Sequence, residues 1–92
     1  MKKAVKLIVQ GTVQGIFFRQ FVKGHANDLK LVGFVRNLEN GNVEIIVEGE
    51  DGQIERLIGF VKKGPEHAQI RHVEINERKW SGDFKKFKIL RF

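Results

Sequence analysis

The chain of 92 residues contains no cysteine, one proline, one methionine and one tryptophan. Without cysteine there is no disulfide framework, no thiol nucleophile and no thiolate metal site. A chain of this length is near the lower end of sizes that bury a sufficient apolar core unaided. A cysteine-free composition agrees with a reducing compartment, and a cytoplasmic location is the expectation. No apolar run approaches the roughly 20 residues that cross a bilayer. The start Met1-Lys2-Lys3 leads into strand-like sequence rather than the apolar stretch of a signal peptide. No membrane partner is expected. Acidic residues are scarce beside basic ones, 11 against 17, for a formal net charge of +6. That balance favours an anionic partner, either nucleic acid or a small phosphorylated molecule. The lysines are spread along the chain, with one cluster at Lys85, Lys86 and Lys88, and no run long enough for a nucleic-acid tail.

What is present suffices for one packed unit over residues 1–92: 41% of residues are apolar, and eight are phenylalanine. Val5, Leu7 and Val9 alternate with Ala4 and Ile8, as in a central strand covered on both sides. From near Phe18 the apolar residues Phe18, Phe21, Val22, Ala26 and Leu29 recur at helical spacing. Gly24 lies inside this pattern and points to close packing on a sheet. Val32–Leu38 and Asn42–Glu48 alternate as two strands around Asn40-Gly41, which predicts a hairpin with a type I′ turn. Asp51 is the expected N-cap of a second helix carrying Ile54, Leu57, Ile58 and Val61, closed by Gly64-Pro65. Ile70–Arg78 and Phe84–Phe92 read as the last two strands. The order predicts an α+β, ferredoxin-like split β-α-β sandwich: βαββαβ plus a short C-terminal strand, an antiparallel sheet with two helices on one face.

Between the first strand and first helix stands Gln10-Gly11-Thr12-Val13-Gln14-Gly15-Ile16-Phe17-Phe18-Arg19. Gly11 and Gly15 permit a tight turn opening on a helix N-terminus, where unpaired amides and the positive end of the dipole meet. A cation in the first helical turn is unfavourable for the helix itself, so Arg19 is a candidate phosphate ligand. The stretch lacks the Gly-Lys-Ser/Thr of a nucleotide-binding P-loop and the three-glycine spacing of a dinucleotide site. In the predicted topology strands one and two run parallel, so Asn37, at the end of strand two, lies on the same sheet edge as this loop.

Two segments carry a family resemblance. The run Val9-x-Gly11-x-Val13-Gln14-Gly15-Ile16-x-Phe18-Arg19 resembles the first acylphosphatase signature, with Ile16 where valine is usual. The run Gly33-Phe34-Val35-Arg36-Asn37-x-x-x-Gly41-x-Val43, followed by Gly49, resembles the second. The resemblance extends over essentially the whole chain. It implies hydrolysis of acyl phosphates to carboxylate and inorganic phosphate, without metal or other cofactor. It assigns phosphate binding to Arg19 and to the amides of Gln14, Gly15, Ile16, Phe17 and Phe18, and orientation of the attacking water to Asn37. Inorganic phosphate or sulfate would act as product or inhibitor, and the protein would work as a monomer. Lys30 departs from the pattern, since glycine is common there, and Leu38 brings no hydroxyl beside Asn37.

The alternative is a ferredoxin-like nucleic-acid-binding module, which uses aromatic residues on its open sheet face. Strand three, Val43-Glu44-Ile45-Ile46-Val47-Glu48, carries two acids and no aromatic, so no specific nucleic-acid partner is expected. His25 reads as a packing residue, and His67 and His72 have no ligand partners near them in sequence.

Overall fold

A computed structural model describes residues 1–13 and 15–91. The elements are β1 (Lys2–Thr12), α1 (Ile16–Asp28), β2 (Val32–Asn37), β3 (Val43–Glu50), α2 (Asp51–Lys63), β4 (Gln69–Arg78) and β5 (Phe87–Leu90). They build one sheet in the order β4-β1-β3-β2-β5. The first four strands in chain order pair antiparallel, while β5 adds to β2 in parallel, so the sheet is mixed rather than wholly antiparallel.

Alternation along the strands sorts the two faces. Val5, Leu7 and Val9 of β1, Val35 of β2, Val43, Ile45 and Val47 of β3 and Phe87 of β5 are buried beneath the helices. α1 contributes Phe18, Val22 and Ala26, and α2 contributes Ile54, Leu57 and Val61. Each helix thus buries one stripe at the spacing its sequence shows. β1 lies between β4 and β3, which explains apolar residues on both of its faces.

Several local expectations need correction. α1 starts at Ile16, directly after Gly15, two residues before the buried stripe begins at Phe18. Gly24 has nothing near a would-be Cβ and faces solvent, so it does not mark close packing. The β2–β3 connection is not a type I′ turn. The Gly41 amide donates to the Leu38 carbonyl at 3.1 Å, and only Gly41 of the Asn40-Gly41 pair has positive φ, 91°. This is a three-residue loop, a type I turn with a left-handed glycine. The cap of α2 is Glu50, and Asp51 is already helical. The final strand keeps only Phe87–Leu90.

The residues before β5 are committed elsewhere. β4 and β5 occupy opposite edges, so the chain between them crosses the open face. There Glu48 of β3, only 2% exposed, accepts from the Ser81 hydroxyl at 2.8 Å, the Ser81 amide at 3.0 Å and the Gly82 amide at 3.0 Å. Burial pushes the Glu48 carboxyl up, but the Ser81 and Gly82 hydrogen bonds and the nearby Arg78 charge pull it down, and the net shift is downward. Phe84 then rests edge-on against Phe34, with ring centroids 6.0 Å apart.

Lys30 ends α1 in the left-handed conformation, φ 59°. Its amide donates to Asn27 and the Leu31 amide to Ala26 at 2.8 Å, the paired bonds of a Schellman cap. The family-typical glycine is absent, yet the turn that favours glycine is retained.

Candidate active site

The parallel sense of β1 and β2 brings the end of β1, the start of α1 and the end of β2 to one sheet edge. β1 carries an irregularity between Gln10 and Gly11. A Cβ on Gly11 would collide with the Gln69 carbonyl oxygen, so the strand can pass this close to β4 only without a side chain. Val13 is buried and anchors the turn. Gln14, the first amide expected to bind phosphate, lies outside the described residues. Gly15 follows at φ 104° and stands as the N-cap of α1. Its would-be Cβ meets no neighbour, so glycine is required there by backbone conformation rather than by space.

Among the described residues no side chain caps this helix, and its first turn contains no acidic residue. The amides of Ile16, Phe17 and Phe18 have no carbonyl one turn earlier to bond. Phe18 is 3% exposed and pins the turn to the core, whereas the Phe17 ring is 84% exposed. Arg19, half-buried, folds back along the turn: its Nε donates to the Gly15 carbonyl at 3.4 Å, and its own amide donates to the same oxygen at 3.5 Å. Both bonds are long, and most of the guanidinium donors stay uncommitted. Among the described residues no carboxylate pairs with Arg19.

Asn37 ends β2 with the parity of Gly33 and Val35, on the helix side of the sheet. Its Oδ1 is buried and has no hydrogen-bond partner among the described residues. An orphaned buried acceptor costs roughly 1–3 kcal/mol, so this oxygen calls for a donor. Arg36, the neighbouring residue, has opposite parity, and its Nε donates to Glu44 Oε1 at 2.7 Å. The second signature therefore turns its asparagine to the site and its arginine away.

Arg19 and Asn37 line one cleft of about 320 Å³, together with Leu90 and Arg91. Phe17 and Phe18 contribute backbone to the same edge. The C-terminal pair went unmarked in the sequence because nothing local says which strand β5 will join. A roomier groove of about 550 Å³ on the open face, lined by Phe34, Phe84, Lys85, Lys86 and Lys88, contains neither residue. His25 stacks on Phe60 at 3.8 Å with Phe21 edge-on at 4.6 Å, a packing role. Asn40 Oδ1 accepts from the Asn42 amide at 3.0 Å and shapes the turn. No group of three or more His, Asp or Glu among the described residues is placed to hold a metal ion, and no described helix is long and apolar enough to cross a membrane.

Among the described residues the edge thus combines a helix N-terminus without a side-chain cap, a guanidinium held by one long bond and a buried amide oxygen without a partner, an arrangement able to accommodate an anion and a donor. Comparison with known proteins identifies the family. The family model described as Acylphosphatase matches residues 5–89. The chain is 40% identical over 90 residues to an acylphosphatase of Syntrophus aciditrophicus, covering 98% of this chain and 94% of the relative. The fold overlays the crystal structure of acylphosphatase from Bacillus subtilis with a TM-score of 0.91 at 32% identity, covering 98% of this chain and 99% of that one. An acylphosphatase structure from Coxiella burnetii matches with a TM-score of 0.89 at 34% identity, covering 97% and 93%. The two signatures, the topology and these matches agree: the chain belongs to the acylphosphatase family of enzymes.

Proposed function

We propose that this acyl phosphate hydrolase works without metal, that Arg19 binds the phosphoryl group and that Asn37 orients the attacking water. The supporting observation is the shared cleft of Arg19 and the unpartnered Asn37 Oδ1 beside the uncapped start of α1. The non-bridging phosphoryl oxygens take hydrogen bonds from the Arg19 guanidinium and the amides of Gly15, Ile16, Phe17 and Phe18, joined in this assignment by Gln14. Asn37 Oδ1 accepts a hydrogen bond from the water, whose oxygen forms the new bond to phosphorus. The bond from phosphorus to the acyl oxygen breaks, and its electron pair leaves with the carboxylate. The water proton passes to a phosphate oxygen. No side-chain base is needed, because an acyl phosphate has a good leaving group. Most of the catalysis is positioning and charge neutralisation.

The same proposal has the chain act as one unit over residues 1–92, as a monomer, in the cytoplasm. The test is hydrolysis of benzoyl phosphate by the purified chain in excess chelator, with inorganic phosphate and sulfate as competing anions. Sustained turnover with competitive inhibition is expected. Activity abolished by chelator and restored by a divalent ion would refute metal independence.

A further inference from the structure

The cleft holds a second cation. β5 pairs with β2 in the register Gly33 to Phe87, Phe34 to Lys88, Val35 to Ile89 and Arg36 to Leu90. Extended one step past the end of β5 at Leu90, this register sets the exposed Arg91 level with Asn37. Phe87 is buried and Ile89 packs against the core, so alternation gives Arg91 the parity of the helix face, which Asn37 shares. The cleft is accordingly lined by Arg19, Asn37, Leu90 and Arg91. The other cations near β5, namely Lys85, Lys86 and Lys88, line the separate groove over Phe34 and Phe84.

We propose that Arg91 is a second phosphoryl-binding cation of this cleft, acting on the side from which water attacks; the inference rests on the function proposed above. A phosphoryl group with two negative charges meets one charge from Arg19 and about half a charge from the helix end. A second guanidinium closes that deficit. In-line displacement puts the leaving acyl oxygen opposite the water. Arg91, level with Asn37, therefore faces the non-bridging oxygens and the nucleophile rather than the acyl group. Its effect should be the same whatever acyl group the substrate carries.

The experiment compares Arg91→Gln, Arg91→Lys and Lys88→Gln in the full chain. Substrates are benzoyl phosphate, with a neutral acyl group, and succinyl phosphate, with an additional carboxylate; the Ki of inorganic phosphate and a melting curve accompany each. Arg91→Gln should lower kcat/KM about ten- to a hundredfold by a similar factor for both substrates, the scale of a hydrogen bond to a charged group. It should raise the phosphate Ki and leave melting unchanged, and Arg91→Lys should recover part of the loss. Lys88→Gln removes one positive charge outside the cleft and should change nothing. Unaltered kinetics in Arg91→Gln, a loss confined to succinyl phosphate, or an equal loss in Lys88→Gln would each overturn the proposal. If Arg91→Gln melts early, Arg91→Met, which keeps the apolar stem, takes its place in the same comparison. A folded wild-type chain without hydrolysis would sink the proposed function instead, and phosphate affinity, measured calorimetrically, would then decide the role of Arg91.

Discussion

Each end of the sheet receives the N-terminus of one helix, and the two are treated in opposite ways. At the far end α2 begins with Asp51 in its first turn, and the Asp51 amide donates to the Met1 carbonyl at 3.0 Å. The Met1 ammonium pairs with Glu50 at 3.0 Å, and the buried Glu48 carboxylate has three donors. The last turn of α1, at this same end, closes its carbonyls through Lys30 and Leu31. At the site end, among the described residues, α1 begins with no acid in its first turn and with an arginine, and Asn37 Oδ1 has no hydrogen-bond partner, while neither helix has a side-chain cap. One end pairs its charges and the Asp51 amide within the chain. The other is left short of negative charge and of donors, which is what a bound anion and a water would supply.

The largest expected effects lie at the site end and concern rate. Asn37→Ala should lower kcat by two orders of magnitude or more, about 2.7–4 kcal/mol, and leave the phosphate Ki nearly unchanged. Arg19→Ala should lower turnover and also weaken phosphate inhibition, and Arg19→Lys should restore little because a point charge cannot reproduce a planar fork. Steady-state kinetics with phosphate inhibition separates the two. Both variants should melt like wild type. Near-normal turnover in folded Asn37→Ala would break the comparison outright.

The next effect belongs to the far end and to stability. Glu48→Ala strips three donors of their acceptor and should cost about 2–3 kcal/mol in denaturant unfolding, with kcat of the folded enzyme unaltered. The folded carboxyl titrates below its unfolded value. Its contribution is therefore fully present above the unfolded glutamate pKa and is lost as pH falls through the folded pKa. Wild type should lose melting temperature over that acidic window more steeply than Glu48→Gln. Equal slopes would show that Glu48 carries no such linkage.

A smaller effect comes from the other far-end cap. Lys30 holds φ 59°, a conformation that costs a side-chain-bearing residue roughly 1–2 kcal/mol. Lys30→Gly should stabilise by about 1 kcal/mol, seen as a higher urea midpoint with the slope unchanged. A lower midpoint would mean that the lysine side chain contributes more than the strain removes.

The smallest change sharpens the contrast most directly. Phe17 is 84% exposed in the first turn of α1, so Phe17→Glu makes this helix begin as α2 does, without uncovering core. It should raise stability by about 0.3–1 kcal/mol through the helix dipole and weaken phosphate inhibition severalfold by repulsion. Tighter phosphate inhibition in this variant would contradict an anion site at that turn.

Local sequence determined much of this molecule. Helical spacing from Phe18 to Leu29 and from Ile54 to Val61, alternation in β1 to β4, and Asn40-Gly41 between two strands were each legible because period and turn chemistry act over a few residues. Topology then put Arg19 and Asn37 on one edge. Tertiary structure decided what depends on distant partners. Gly24 looked like a packing residue because a glycine in a helix has no local signature for what lies opposite it, and here nothing does. Phe84 alternates in sequence like the strand after it, yet the crossing pinned by Glu48 takes it out of β5. The buried charge of Glu48 is satisfied by Ser81 and Gly82, more than thirty residues later in the chain, which donate to it. Arg91 enters the cleft because β5 joins β2 in parallel at one register, and a four-residue strand carries no local mark of its neighbour. Pairing between strands is set by the summed burial of the whole sheet, and no short stretch of the chain contains that sum.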